Sequence, residues 1–278
     1  MDINFLDRPA GRIAYSMTGE GPLLIAVPGL GDLRSSYAEL SAALVAQGYR
    51  VAVMDLRGHG DSDVSFHEHG DVATAEDVLA LAEKLGAPAV VLGNSLGGAV
   101  AVWAAGERPD LILGMVLYSP FLRNPKLPAF ITGVVKFLYR LAFVRPWGAA
   151  LWAMYYRSLN KGTPPADLDE HLAEIKASLR QPGRLRSLRQ LLLQLDHRVI
   201  DDRLPTLKVP IRVFVGAVDP DFPDPSAESG WITQNGAHSE LVPEAGHYPH
   251  RQRPDLVIPK TIEFLDGLRQ GKTWKSNA

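Results

Sequence analysis

Cysteine is absent from the 278 residues, which excludes disulfides, thiolate metal sites and a cysteine nucleophile. No excess of charge of one sign exists either. Lys and Arg number 29 against 31 Asp and Glu, a formal net charge of −2, so there is no electrostatic footprint for nucleic acid or an anionic membrane. Long apolar runs are also missing. The most apolar window, 129–144, is broken by Lys136 and Arg140 and is too short to span a bilayer. The first residues, Met1-Asp2-Ile3-Asn4-Phe5-Leu6-Asp7-Arg8, have neither the basic n-region nor the apolar h-region of a signal peptide. There is no internal repeat and no low-complexity segment. These absences predict a soluble, cytoplasmic protein without nucleic-acid partners or stable membrane insertion. Oligomeric state has no signature. What is present, 46% hydrophobic and 22% charged residues, suits one large α/β domain or a domain with an insertion.

Hydrophobic patterning predicts strands over 12–18 and 22–27, joined by a turn at Gly19-Glu20-Gly21-Pro22. A helix over 36–47 follows, stopped by Gly48, then a strand at 50–54 and a helix at 72–85. A strand at 88–93, a helix to about 107 and a strand at 113–118 continue the alternation. Such alternation predicts a mostly parallel central sheet flanked by helices on both faces. It stops at Ser119-Pro120. Residues 121–205 read as helices, at 129–143, 147–159, 167–180 and 183–196, with loop signals at Asn124-Pro125, Gly162-Thr163-Pro164-Pro165 and Gln181-Pro182-Gly183. Strands return at 211–215 and 238–242, and helices at 226–235 and 255–268. The expected organisation is an α/β core, 1–120 and 206–278, interrupted by an all-helical cap insertion over 121–205.

The sharpest motif is Gly93-Asn94-Ser95-Leu96-Gly97. An apolar run rich in β-branched residues, beginning at Ala87, precedes it, and a helix stopped by Pro109 follows it. Strand, sharp turn and helix with a serine at the apex make a nucleophile elbow, in which glycines relieve a turn too tight for side chains. The five-residue pattern alone is weak, and a plain glycine-rich turn is its bland reading. No Gly-Lys-Ser/Thr follows, so the turn is not a P-loop.

A serine hydroxyl needs a base to take its proton. Two late strands end in loops that could supply the partners: Gly216-Ala217-Val218-Asp219-Pro220-Asp221, and Glu244-Ala245-Gly246-His247-Tyr248-Pro249-His250. His247 would serve as general base and then general acid, with Asp219 holding its tautomer. Asp221 and Asp224 are alternatives for the acid, and His250 for the base. A turn-forming Asp-Pro and a loop histidine bonded to backbone are the plain readings.

With these residues in view the chain resembles the α/β-hydrolase fold family over nearly its whole length. The likeness rests on the elbow, Pro28-Gly29-Leu30-Gly31, the stretch from Asp55 to Ser62 with Arg57-Gly58-His59-Gly60 inside it, Gly216-x-x-Asp219 and Gly246-His247. It implies an oxyanion hole made by the backbone N–H groups of Leu30 and Leu96. The family often has His-Gly where this chain has Pro28-Gly29, a departure that removes a side chain bracing that loop. The likeness makes His59 a buttress rather than a catalyst. Some members carry their acid where Ser119 stands, which leaves Asp219 as the acid here. Serine at 95 in place of aspartate argues against dehalogenase or epoxide hydrolase chemistry, which needs a carboxylate nucleophile. His67-Glu68-His69 and His247-x-x-His250 are poor metal sites, because no supporting ligand cluster accompanies them. No metal and no cofactor is expected.

Most of the aromatic and aliphatic residues between 129 and 159 are expected to pack as core. A cap over Ser95 would still turn part of its apolar face to a substrate pocket. Phe137, Phe143, Trp147, Trp152 and Tyr155 are the candidates. The leucine face of 185, 188, 191, 192 and 195 is structural. The expected activity is hydrolysis of small hydrophobic esters, acyl or aromatic, through a Ser95 acyl-enzyme. Carbon–carbon hydrolysis of diketones and a non-turnover ligand receptor are the alternatives. Some carbon–carbon hydrolases share a Gly-Asn-Ser-x-Gly-Gly elbow, but their glycine-rich oxyanion segment is not evident around Pro28.

Overall fold

A computed structural model of the chain describes residues 2–86, 88–124, 128–200 and 202–271. Eight strands form one sheet: β1 (Ile3–Arg8), β2 (Gly11–Thr18), β3 (Leu23–Val27), β4 (Arg50–Met54), β5 (Ala89–Asn94), β6 (Ile112–Tyr118), β7 (Ile211–Gly216) and β8 (His238–Val242). Their spatial order is β1-β2-β4-β3-β5-β6-β7-β8. Pairing is parallel from β4 through β8, and β1 and β2 add an antiparallel edge. The helices begin with α1 (Ala38–Ala46), α2 (Asp71–Lys84), α3 (Leu96–Glu107), α4 (Ala129–Ala142) and α5 (Gly148–Leu159). They continue with α6 (Leu168–Leu179), α7 (Arg184–Gln194), α8 (Pro225–Gln234), α9 (Pro249–Gln252) and α10 (Pro254–Gln270).

The central strands are apolar on both faces because both faces are covered. Leu23, Ile25 and Val27 of β3, with Ala89 and Val91 of β5, join a core shared with α2, α3 and α8. The alternate residues Leu24, Ala26, Val90 and Leu92 join a second core with Leu40 and Leu44 of α1 and Val257, Leu265 and Leu268 of α10. Each large aliphatic side chain so buried contributes about 1.5–3 kcal/mol.

Two details depart from the sequence reading. The Gly19–Pro22 turn does not close a hairpin, because β4 lies between β2 and β3. The N-terminal strand β1, which the sequence pattern did not reveal, pairs with β2 instead. Ala87 and Pro125, both used in the sequence reading, lie outside the described residues.

Between β6 and β7 the described residues form α4–α7 and no strand. These helices build a third core in which Trp152, Tyr156 and Leu159 of α5 meet Leu172 and Ile175 of α6, and Leu185 and Leu188 of α7. Tyr248, next to His247, is part of the same cluster. Leu30 and Leu33, from the loop after β3, pack against it.

Candidate active site

Ser95 stands between β5 and α3 with φ 54° and ψ −115°, a conformation that strains a side-chain-bearing residue. A Cβ on Gly97 would lie 2.3 Å from the Val27 carbonyl oxygen, and one on Gly93 2.4 Å from that of Gly97. Only hydrogen fits at both positions. The Ser95 N–H donates to the Tyr118 carbonyl at 3.1 Å, and the Ser95 carbonyl accepts from Phe121 at 3.2 Å. The elbow is thereby fixed to the end of β6. The Leu96 amide opens α3, where a helix N-terminus favours negative charge.

Asp219 follows β7 and His247 follows β8, both loops at the same sheet end as Ser95. The His247 Nδ1 lies 2.8 Å from Asp219 Oδ2, and both side chains are buried. Burial works against a charged imidazole here. The Asp219 carboxylate and its hydrogen bond outweigh burial and raise the His247 pKa above its ordinary 6.5, with Asp221 adding to the effect. Asp221 lies 3.9 Å from the same Nδ1. Its own pKa is raised by burial, with the Asp219 charge a smaller contributor. The Tyr155 hydroxyl donates to the Asp221 carboxylate at 2.8 Å. Aromatic rings wall the imidazole: Phe121 is 5.4 Å and Phe222 6.5 Å from it, centroid to centroid.

The Leu30 loop lies directly over the elbow. A Cβ on Gly29 would come within 3.2 Å of the Ser95 Cβ. The Trp152 indole N–H donates to the Gly31 carbonyl at 3.1 Å, which holds this loop against α5. One residue further on, Asp32 is buried and anchors the loop to the helical segment. Its carboxylate meets His171 Nε2 at 2.6 Å and the Tyr156 hydroxyl at 3.1 Å. Burial alone would raise the Asp32 pKa, but His171 and then Arg251 hold it below the usual 3.8. Asn94, the residue before the serine, donates from Nδ2 to both the Tyr118 carbonyl at 2.8 Å and the His247 carbonyl at 3.0 Å. Sequence reasoning assigned no role to Asn94, Asp32 or His171. Asn94 sits inside the elbow motif and was open to notice; nothing in the spacing links Asp32 to a histidine 139 residues away.

The alternatives fall elsewhere. Asp224 caps α8, accepting from the Ala227 N–H at 3.0 Å. His250 is buried between the rings of Tyr37 and Tyr118, at 4.9 and 4.7 Å, with no hydrogen-bond partner on either nitrogen. Burial pushes its pKa down to about 3. His59 is buried with Nδ1 3.0 Å from the Arg57 carbonyl oxygen, and burial takes it to about 4. His69, expected on an exposed loop, is buried instead; His67 is exposed. Among the described residues, Asp219, Asp221 and His247 alone form a group of three metal-capable side chains with ligand atoms within 4.8 Å. A cavity of about 500 Å³ near Arg34, Asp55, Asp61 and Glu174 contains none of Ser95, Asp219 or His247.

Of the five aromatics expected to line a pocket, three turn toward this region. Trp152 and Phe143 are buried with rings 5.6 Å apart, and Tyr155 lies 5.3 Å from Trp152. Phe137 and Trp147 do not: they are 57% and 55% exposed. The reason is that Tyr139, Ala142 and Phe143 already occupy the inner side at this end of the chain's fourth helix.

Residues 24–260 match the model of the alpha/beta hydrolase family, and the chain belongs to that family. It is similar to a pimeloyl-[acyl-carrier protein] methyl ester esterase of Neisseria meningitidis serogroup B, at 25% identity over 242 residues, covering 87% of this chain and 92% of that protein. Among solved structures it superposes on an alpha/beta hydrolase fold protein from Burkholderia ambifaria with a TM-score of 0.80 and 21% identity, over 94% of this chain and 97% of that one. A thermophilic esterase from Thermogutta terrifontis gives a TM-score of 0.77 and 24% identity, over 96% and 99%.

Proposed function

We propose that the protein is a serine carboxylesterase in which Ser95 is the nucleophile, His247 the base and Asp219 the acid. The observation that carries this reading is the buried 2.8 Å contact between His247 and Asp219, at the same sheet end as a serine on a strained elbow. The Ser95 Oγ attacks the ester carbonyl carbon while His247 Nε2 takes its proton. The carbonyl oxygen becomes an oxyanion that accepts from the Leu30 and Leu96 N–H groups. The tetrahedral intermediate collapses, the C–O bond to the alcohol breaks, and His247 returns the proton to the departing alcohol. Water then attacks the Ser95 acyl ester with His247 as base, releasing the carboxylic acid and restoring the serine. Asp219 keeps a proton on Nδ1 and offsets the imidazolium charge.

The rings of Phe121 and Phe222 beside the imidazole support a hydrophobic acyl or aromatic substrate. The likeness to a methyl ester esterase supports ester over carbon–carbon cleavage. In this reading 121–205 acts as a cap over the serine, with Phe143, Trp152 and Tyr155 facing the substrate. The test uses p-nitrophenyl esters of increasing chain length and a fluorophosphonate probe. Labelling at Ser95, and a fall in turnover of at least about 10³ for Ser95→Ala with an unchanged melting curve, is expected. Labelling elsewhere, or wild-type turnover by the alanine variant, would refute the assignment.

A further inference from the structure

The fourth helix, α4, leaves its largest apolar side chains in solvent. Phe130 is 78% exposed, Phe137 57%, Leu138 53% and Leu141 54%, with Ile131 and Val134 at 40% and 39%. Positions 130, 134, 137, 138 and 141 recur at three- and four-residue intervals and so share one helical face. Trp147, just beyond the helix, is 55% exposed. An exposed patch of this kind marks an interaction surface rather than a solvated one.

The charge around it identifies what it fits. Between Asp110 and Asp167 the chain has no Asp or Glu and seven Lys or Arg, of which Arg123 and Arg157 pair with Glu228 and Asp169 from outside the segment. The net charge of −2 for the whole chain conceals this asymmetry. On α4 itself the only charged residues are Lys136 and Arg140, and neither has an ion-pair partner among the described residues. By contrast, exposed Arg108 pairs with Glu83 and Asp110, and exposed Arg157 with Asp169. A helix of 14 residues is about 21 Å long, too short to cross a bilayer. No described helix is long and apolar enough to do so. Apolar face, basic flank and an interfacial tryptophan are the features of a helix that lies in the headgroup plane.

We propose that α4 and Trp147 dock the protein on a phospholipid surface bearing anionic headgroups. The apolar face enters the boundary between headgroups and acyl chains, while exposed Arg140 at its side meets phosphate and half-buried Lys136, toward the Tyr139 side of the helix, adds to the local positive charge. The opposite side of the helix, through Tyr139 and Phe143, packs toward Trp152 and the Gly31 carbonyl, so docking brings the Ser95 side of the molecule to the lipid boundary.

The test is sedimentation of the intact protein with extruded vesicles of phosphatidylcholine, alone or mixed with phosphatidylglycerol. Binding to the mixed vesicles at least about tenfold tighter than to phosphatidylcholine alone is expected. A Phe130→Ser, Leu138→Ser, Leu141→Ser variant should lose binding to both vesicles without a lower melting temperature. A Lys136→Glu, Arg140→Glu variant should lose the preference for anionic vesicles. Protein left in the supernatant with both vesicles overturns the proposal, as does unchanged binding by either variant. So does a dimer that the triple serine variant disperses, since that outcome assigns the face to a second copy. None of these readouts depends on ester turnover.

Discussion

Asn94 and His247 are joined by one hydrogen bond, from the Asn94 side-chain amide to the His247 carbonyl at 3.0 Å. The amide's other hydrogen goes to the Tyr118 carbonyl at 2.8 Å. One side chain, adjacent to the elbow serine, therefore ties together the ends of β5 and β6 and the loop carrying the imidazole. Asn94→Ala should leave the His247 carbonyl buried without a donor, while the Tyr118 carbonyl keeps the Ser95 N–H, and cost about 1–3 kcal/mol of stability. Asn94→Asp should be worse, because a carboxylate would face two carbonyl oxygens. Chemical denaturation measures the first effect, and kcat at saturating ester the loosening of His247. An aspartate variant as stable and active as the wild type would contradict this role.

Proton transfer sets a second expectation. In the proposed mechanism His247 has to be neutral to accept the Ser95 proton, and Asp219 and Asp221 raise its pKa despite burial. Activity should therefore fall as pH drops through a value above the imidazole's ordinary 6.5. Asp221→Asn removes one of the carboxylate charges that favour the imidazolium, so the acid limb should move to lower pH while turnover at alkaline pH persists. A kcat/KM profile for both proteins checks the sign.

Chain-length selectivity should follow the inward aromatics. Tyr155, though 40% exposed, donates its hydroxyl to Asp221, which lies 3.9 Å from His247, whereas Phe137 is 57% exposed and makes no such contact among the described residues. Tyr155→Ala should change the ratio of kcat/KM between long and short soluble esters, with each methylene worth up to about 1–3 kcal/mol. Phe137→Ala should leave that ratio unchanged. Equal ratios for both variants would remove Tyr155 from the pocket.

The bond between Asp32 and His171 should report on the coupling of the Leu30 loop to the helical segment. His171→Phe removes one partner from a buried carboxylate that keeps Tyr156 and the Leu33 N–H, and should cost about 1–3 kcal/mol. Because the Asp32 pKa is lowered below 3.8, its contribution is full above that value and is lost only as pH falls through the lower folded pKa. A double-mutant cycle with Asp32→Asn should give a coupling energy of at least about 0.5 kcal/mol. Zero coupling would mean that the two side chains stabilise independently.

Local chemistry carried most of what could be read in advance. The strands are legible because burial on both faces makes them continuous apolar runs, and the elbow because its glycines answer a steric demand within five residues. The meeting of Asp219 and His247, 2.8 Å apart, follows from their positions after strands. What eluded the sequence depends on contacts between distant segments. The edge strand β1 carries Asn4 and Asp7, which dilute its apolar alternation. The pairing of Asp32 with His171 has no local spacing to reveal it. The outward turn of α4 was hidden because an apolar helical stripe looks the same whether it meets a core or solvent.

The four strands β5 to β8 form an unbroken parallel ladder although four helices intervene between the second and third of them. Ser95, Asp219 and His247 all follow strands of that ladder, but the His247 N–H donates to the Leu159 carbonyl at the end of α5 at 2.9 Å, so a transplanted helical segment has to supply that acceptor. The buried Asp32 sets a second condition for a graft. An exchanged segment has to bring its own imidazole or other donor to that carboxylate, and an aromatic surface for Tyr248, or the loop above the serine loses its anchor.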